Sequence, residues 1–246
     1  MLVENMKSIL FLVILTSIIL LSCNEPTGGG EDGHGVYITV VDSTSGKPLD
    51  SAIVRVYYTV GQVEMDPNYK CINTPNPFYN QTDFGFTLNT PQNVIIILIN
   101  QEKNIVMDTI INQIFKEGRF NILWGIPDSL TEQYDNGFYT LRIILGDSVT
   151  NYEMFLLKFN YLSTEINKGV PIKVYQTQTN GLVVIQPGDL PWIGRRFRKY
   201  GEAGFNLGDY LIKDSINIEV VLDAYYTKKR TIYFDKKVAK YLTVKM

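Results

Sequence analysis

Apolar residues in this chain recur with a period of two almost throughout, and that alternation most narrows what it can fold into. It starts in VYITVVD (36–42) and resumes after STSGKP in SAIVRVYYTV (51–60). It continues through FGFTL, NVIIILIN, NIVMDTII, RFNILW, GFYTLRIIL, TNYEMFLLKF, PIKVYQT, GLVVI, INIEVVLDAYY, RTIYF and AKYLTVKM. Breakers such as NTP, QEKN, KEG, DNG, GD and TNG separate nearly all of these runs. Side chains that alternate in direction suit a strand with one packed face and one wet face. Many short strands at such spacing predict all-β sandwiches. Composition agrees, because 12% of residues are aromatic and 45% are hydrophobic, enough for a sizeable core. No helical period is sustained, and LTEQYDN (130–136) holds a helical turn at most. Asn136-Gly137 reads as hairpin chemistry, since Asn-Gly tolerates positive φ.

The N-terminus speaks of location. ILFLVILTSIILL (9–21) carries no charge but is too short for a comfortable membrane span, which needs roughly 20 apolar residues. Lys7 precedes it and Ser22 ends it, giving the three parts of a secretory signal over 1–22. Glu4 is out of place in such a signal, so Met6 reads as the start. LLSC (20–23) resembles the lipobox of bacterial lipoproteins, which implies that Cys23 is lipidated and becomes the first mature residue. The rival reading pairs Cys23 with Cys71, the one other cysteine, and would tie a signal to a folded domain. NEPTGGGEDGHG then reads as a flexible tether over 23–35, with a reach of about 20 Å. Asn24 lacks the aspartate that marks inner-membrane retention in some bacteria, which favours the outer membrane.

The segment 73–158 resembles the Ig-like domain of the flagellar hook-capping protein FlgD and related type IX sorting domains. Asn76-Pro77-Phe78 opens the pattern, followed by Phe84, Phe86 and Leu88 on one strand. Gly118, Trp124, Gly137-Phe138-Tyr139 and Leu156-Leu157-Lys158 complete it. Two turns depart from the family: NQEKN (100–104) replaces its Asp and Gly, and Gly125-Ile126 replaces its polar pair after the Trp. Pro77 cannot donate to a ladder, so the triplet marks an edge with Phe78 as a plug. Trp124 reads as a core aromatic. Sorting domains lie at the C-terminal end, whereas about 88 residues follow Lys158 here, so the expectation is neither type IX cargo nor hook capping.

The flanks resemble a carboxypeptidase-regulatory-like, prealbumin-type β-sandwich. The pattern falls on Val41-Asp42, Ser45-Gly46-Lys47-Pro48-Leu49, Ala52 and Val54. Its next element comes only later, at Thr179, Gly181 and Val183. Residues 36–65 offer two strands, and a lone hairpin is marginal in water. The expectation is therefore one discontinuous sandwich, 36–65 with 160–246, with a FlgD-like sandwich (71–159) inserted. The alternative is three domains in a row.

Chemistry is sparse. His34 is the sole histidine and lies on the tether, which excludes a His-based metal site or a Ser/His dyad. There is no P-loop, HExxH or GxSxG, so no catalytic residue, metal or cofactor is expected. Net charge is only −2, and nucleic acid is not expected as a partner. From Arg195 onward there are twelve Lys/Arg against six Asp/Glu, a local +6. That end reads as a solvated face or as a site for an acidic partner or anionic surface. The stretch DLPWIGRRFRKYGEAGF (189–205) interleaves Trp192, Phe197 and Tyr200 with Arg195, Arg196 and Arg198. Such a loop either binds a polysaccharide by stacking and cation contacts or is packed down by its own aromatics. The leading expectation is an envelope lipoprotein, held to the membrane through Cys23, whose non-catalytic modules meet an envelope protein. A glycan-binding surface lipoprotein is the alternative.

Overall fold

Asp42 closes the first turn. Its Oδ1 accepts the Thr44 and Ser45 amides (3.1 and 2.6 Å) and the Ser45 hydroxyl (2.8 Å), and Gly46 supplies a φ of 69°. That turn separates β1 (Val36–Val41) from β2 (Ile53–Val63). The computed structural model describes residues 34–158, 162–163, 170–201, 204–223 and 227–246, and His34–Met246 forms one unit. The signal, Cys23 and most of the tether lie outside the described residues.

The chain continues as β3 (Gln81–Leu88), β4 (Gln92–Asn100), β5 (Ile105–Phe115), β6 (Gly118–Gly125), β7 (Gly137–Leu145) and β8 (Ser148–Leu156). After these come β9 (Leu162–Ser163), β10 (Lys173–Gln176), β11 (Leu182–Ile185), β12 (Arg196–Tyr200), β13 (Asn206–Val221), β14 (Lys228–Tyr233) and β15 (Lys240–Lys245). Among the described residues, two short 3-10 turns, Asp128–Gln133 and Pro187–Asp189, interrupt an otherwise all-β fold.

β1 and β2 pair with strands that come after residue 161. β1 lies between β11 and β15, while β2 lies between β10 and the long β13, which also carries β12 and β14. β3 to β8 pair only among themselves, as β3–β6 and as β5-β4-β7-β8. The result is a host sandwich with a second sandwich inserted between β2 and β9. In the host, Val36, Ile38 and Val40 alternate inward against Val54, Val56, Ile216 and Ile218. In the insert, Val94, Ile96 and Leu98 alternate inward against Phe84 and Trp124, and Phe78 meets Trp124 edge-on at 6.0 Å. Gly181 lets the backbone of the host close. A Cβ there would sit 2.5 Å from the Val40 carbonyl, and its φ is 67°.

Two local expectations change. Asn136-Gly137 is not a hairpin. β6 pairs with β3 and β7 pairs with β4 and β8, so the chain crosses between sheets there through the 3-10 turn. Gly137 is needed there for its φ of 151°, and a Cβ would in addition lie 2.9 Å from Glu102 Oε1. Residues 189–205 are not one long loop either, since 196–200 form β12 on the edge of β13.

Candidate functional site

The singled-out residues of 189–205 gather at the seam between the sandwiches. Phe138 and Phe155 explain why a seam exists. They sit on adjacent strands of the insert yet pack into the host core, stacked at 4.1 Å with planes 7° apart. Their neighbours Tyr139 and Met154 point the other way, into the insert's own core. This end of the β7–β8 pair is therefore buried on both faces, which desolvates any polar group beside it.

Trp192 is only 6% exposed. Its ring stacks on Tyr58 at 5.3 Å and meets the Phe155 ring at a right angle, 5.4 Å away. Its Nε1 donates to Glu102 Oε1 at 2.6 Å. Arg195 donates to Gln101 Oε1 (2.6 Å) and Glu153 Oε2 (2.9 Å), with its guanidinium 4.0 Å over the Phe138 ring. Gln101 and Glu102 belong to the NQEKN turn. The turn that departs from the FlgD pattern thus holds Trp192 and Arg195.

Arg198 reaches the connector after β2. Its Nε and Nη2 donate to both oxygens of Asp209 (2.6 and 3.1 Å), and its Nη groups also donate to the Tyr69 and Asp66 carbonyls (3.2 and 2.5 Å). Arg196 lies 3.6 Å from Asp209 Oδ2 and donates to the Glu64 carbonyl. Burial pushes the Asp209 carboxyl up. The Arg198 hydrogen bonds, the Asp66 amide and the two arginine charges outweigh that and hold it below the usual range. The same hydrogen bonds hold Arg198 protonated, against its burial. Tyr200 bridges to Asn76 by paired backbone hydrogen bonds (2.8 and 3.3 Å). Buried Asn76 adds a hydrogen bond to the Arg198 carbonyl and accepts the Phe155 amide (2.5 and 2.9 Å). The Asn of the NPF triplet is thus a rivet between the sandwiches.

Glu153 also accepts from the Tyr69 hydroxyl, whose pKa is raised first by burial and then by that carboxylate. Cys71 is buried and free, and burial pushes its thiol up to about 12. Sequence reasoning did not foresee Gln101, Glu102, Glu153 and Asp209 as partners of Trp192 and the arginines. One signal was available: Phe138-Tyr139, consecutive aromatics on a strand, must bury opposite faces. The departure of NQEKN from the FlgD pattern was a second, for Gln101 and Glu102, whereas nothing local marks Asp209 as the partner of Arg198.

Two of the solvent-open clefts among the described residues border these segments. One of about 430 Å³ lies at the edge of Trp192, beside Glu102, Asp135, Asn136, Lys173 and Asp189. The other, about 480 Å³, runs past Thr74, Tyr79, Asn80, Gln81 and Leu123. Among the described residues, no three His, Cys, Asp or Glu gather to hold a metal, and no helix is long and apolar enough to cross a membrane. Chemically the seam is a closed set of donors and acceptors that fixes one sandwich to the other. No protein-family model matches the chain, and no match arises among curated proteins.

Proposed function

We propose that this chain is a lipoprotein of a bacterial cell envelope, held to the outer membrane through acyl chains on Cys23. Its sandwiches are non-catalytic modules for protein contact or assembly, the inserted one FlgD-like and the host carboxypeptidase-regulatory-like. The LLSC motif at 20–23, followed by a Gly-rich stretch up to His34, carries this reading. Several chains on one cysteine give stable anchoring where a single chain would be marginal. The seam supports the modular part, because it holds two sandwiches in one arrangement and leaves their outer faces for partners. Radiolabelled palmitate should enter the protein and should be lost in Cys23→Ser, with the protein moving to the soluble fraction. Undiminished label or membrane retention in that variant would sink the reading. Crosslinking in intact cells should trap an envelope partner, and monomer alone would count against assembly.

The glycan reading keeps one foothold, the cleft at the edge of Trp192. Tyr58 and Phe155 already pack against the Trp192 ring, so a sugar would have to enter from the cleft rather than stack on an open face. Equal retardation of wild type and Lys173→Ala in gels containing an acidic polysaccharide would remove it.

A further inference from the structure

The basic excess of the C-terminal part resolves into two places. The three arginines at 195, 196 and 198 are engaged at the seam. The excess itself lies in residues 227–246, with seven Lys/Arg against one Asp. Among the described residues, only Lys229 of these makes an ion pair, at 3.9 Å to Glu219. Lys228, Lys236, Lys237, Lys240 and Lys245 form none among the described residues.

These charges lie on β14, on β15 and on the link between them. β14 is an edge strand of one host sheet and β15 an edge strand of the other. The link 234–239 is short, so both edges flank the same side, which Phe234, Ile232 and Leu242 close from within. Apolar and aromatic groups stand out among the lysines. Val238 is 48% exposed and Tyr241 79%, and Tyr233 is exposed too. Tyr241 stacks on Tyr37 at 5.0 Å, leaving its other side to solvent. The chain enters the fold at this flank: the Lys240 amide donates to the Gly35 carbonyl (2.8 Å), and Val36 pairs with Lys240.

We infer that this β14–β15 flank docks on an anionic lipid surface. Lysine on an edge strand also discourages strand pairing. That role asks for a charge or two per edge and gives no reason for exposed Val238 and Tyr241 between them. Lysines near an anionic bilayer and aromatic rings at headgroup level are the matching chemistry. The setting rests on the anchored reading: Cys23 lies thirteen residues before Val36 in the sequence, so an anchor there would hold this flank near lipid at high effective concentration.

The test uses the chain from Asn24 onward, which keeps the whole unit His34–Met246 and has no anchor. It should co-sediment at low salt with phosphatidylglycerol/phosphatidylcholine vesicles but not with phosphatidylcholine alone. At about fivefold per lysine, Lys236→Gln/Lys237→Gln/Lys240→Gln should bind on the order of 100-fold more weakly. Tyr241→Ser should bind several-fold more weakly, and added salt should weaken binding throughout. An unchanged thermal midpoint shows that the variants stay folded. Equal binding to neutral vesicles, undiminished binding by the triple variant, or retention only on an acidic protein or polysaccharide column overturns the inference. Because Cys23 is absent from this chain, failure here leaves lipidation standing, and failure of palmitate labelling leaves this result standing.

Discussion

The arginines of 195–198 and the lysines of 228–245 look alike as charge, yet they do opposite work. The arginines sit where two cores meet. Their planar forks take carboxylates and backbone carbonyls together, so each can be desolvated with its donors used. Arg198 alone engages Asp209, Asp66 and Tyr69. The lysines are compact, strongly hydrated charges and sit on strand edges facing solvent. A local charge excess therefore names no site until each cation has been matched to its partner.

The largest test of this contrast removes Asp209. Asp209→Asn leaves the buried Arg198 with neutral acceptors only, which should cost about 3–5 kcal/mol in chemical denaturation. Cys71 is a built-in reporter. With its pKa near 12 it should resist thiol reagents at pH 8 in the wild type, and it should label readily in Asp209→Asn. The pH sign follows from the lowered Asp209 carboxyl. Its stabilisation is complete above the ordinary Asp value of about 4 and fades as pH falls through the lower native value. The wild-type advantage over Asp209→Asn should thus narrow in acid, and a constant gap would deny the ion pair its role.

Asn76→Ala comes next. It strands the Phe155 amide and the Arg198 carbonyl, and a loss of about 1–3 kcal/mol is expected. Limited proteolysis should then cut faster near 64–69, where the connector leaves β2. Arg195→Lys keeps the charge but loses the fork between Gln101 and Glu153, for a loss of about 1 kcal/mol. The smallest effect belongs to the other region. Lys236→Gln/Lys237→Gln should shift stability by no more than about 0.5 kcal/mol. A loss there as large as that of Asn76→Ala would erase the distinction between the two basic regions.

Much of the fold was legible because alternation is a local property. VYITVV, NVIIILIN and GLVVI each declare a strand and its inward face from their own residues. Asp42, Ser45 and Gly46 likewise declare their turn, since the Asp42 carboxylate accepts from Thr44 and Ser45, two and three residues on. Asn136-Gly137 misled because turn chemistry reports backbone freedom and not which strand the chain meets next. In 189–205 the aromatics and arginines were visible, but their partners lie roughly 90 to 130 residues away, at Glu102, Gln101 and Tyr69.

The sequence by itself determined that the chain is built of short strands in sandwiches, where their turns fall, and that an apolar stretch, a cysteine and a Gly-rich run come before them. Period, breakers and composition suffice for these, because each depends on neighbours along the chain. Only the tertiary structure decided that Phe138 and Phe155 leave their own core for the other, and that Asp209 meets Arg198. It also decided that β14 and β15 share a flank with the start of β1. The reason is physical: burial and charge pairing depend on which surfaces the fold brings together, and residues far apart in the chain carry no local mark of that meeting.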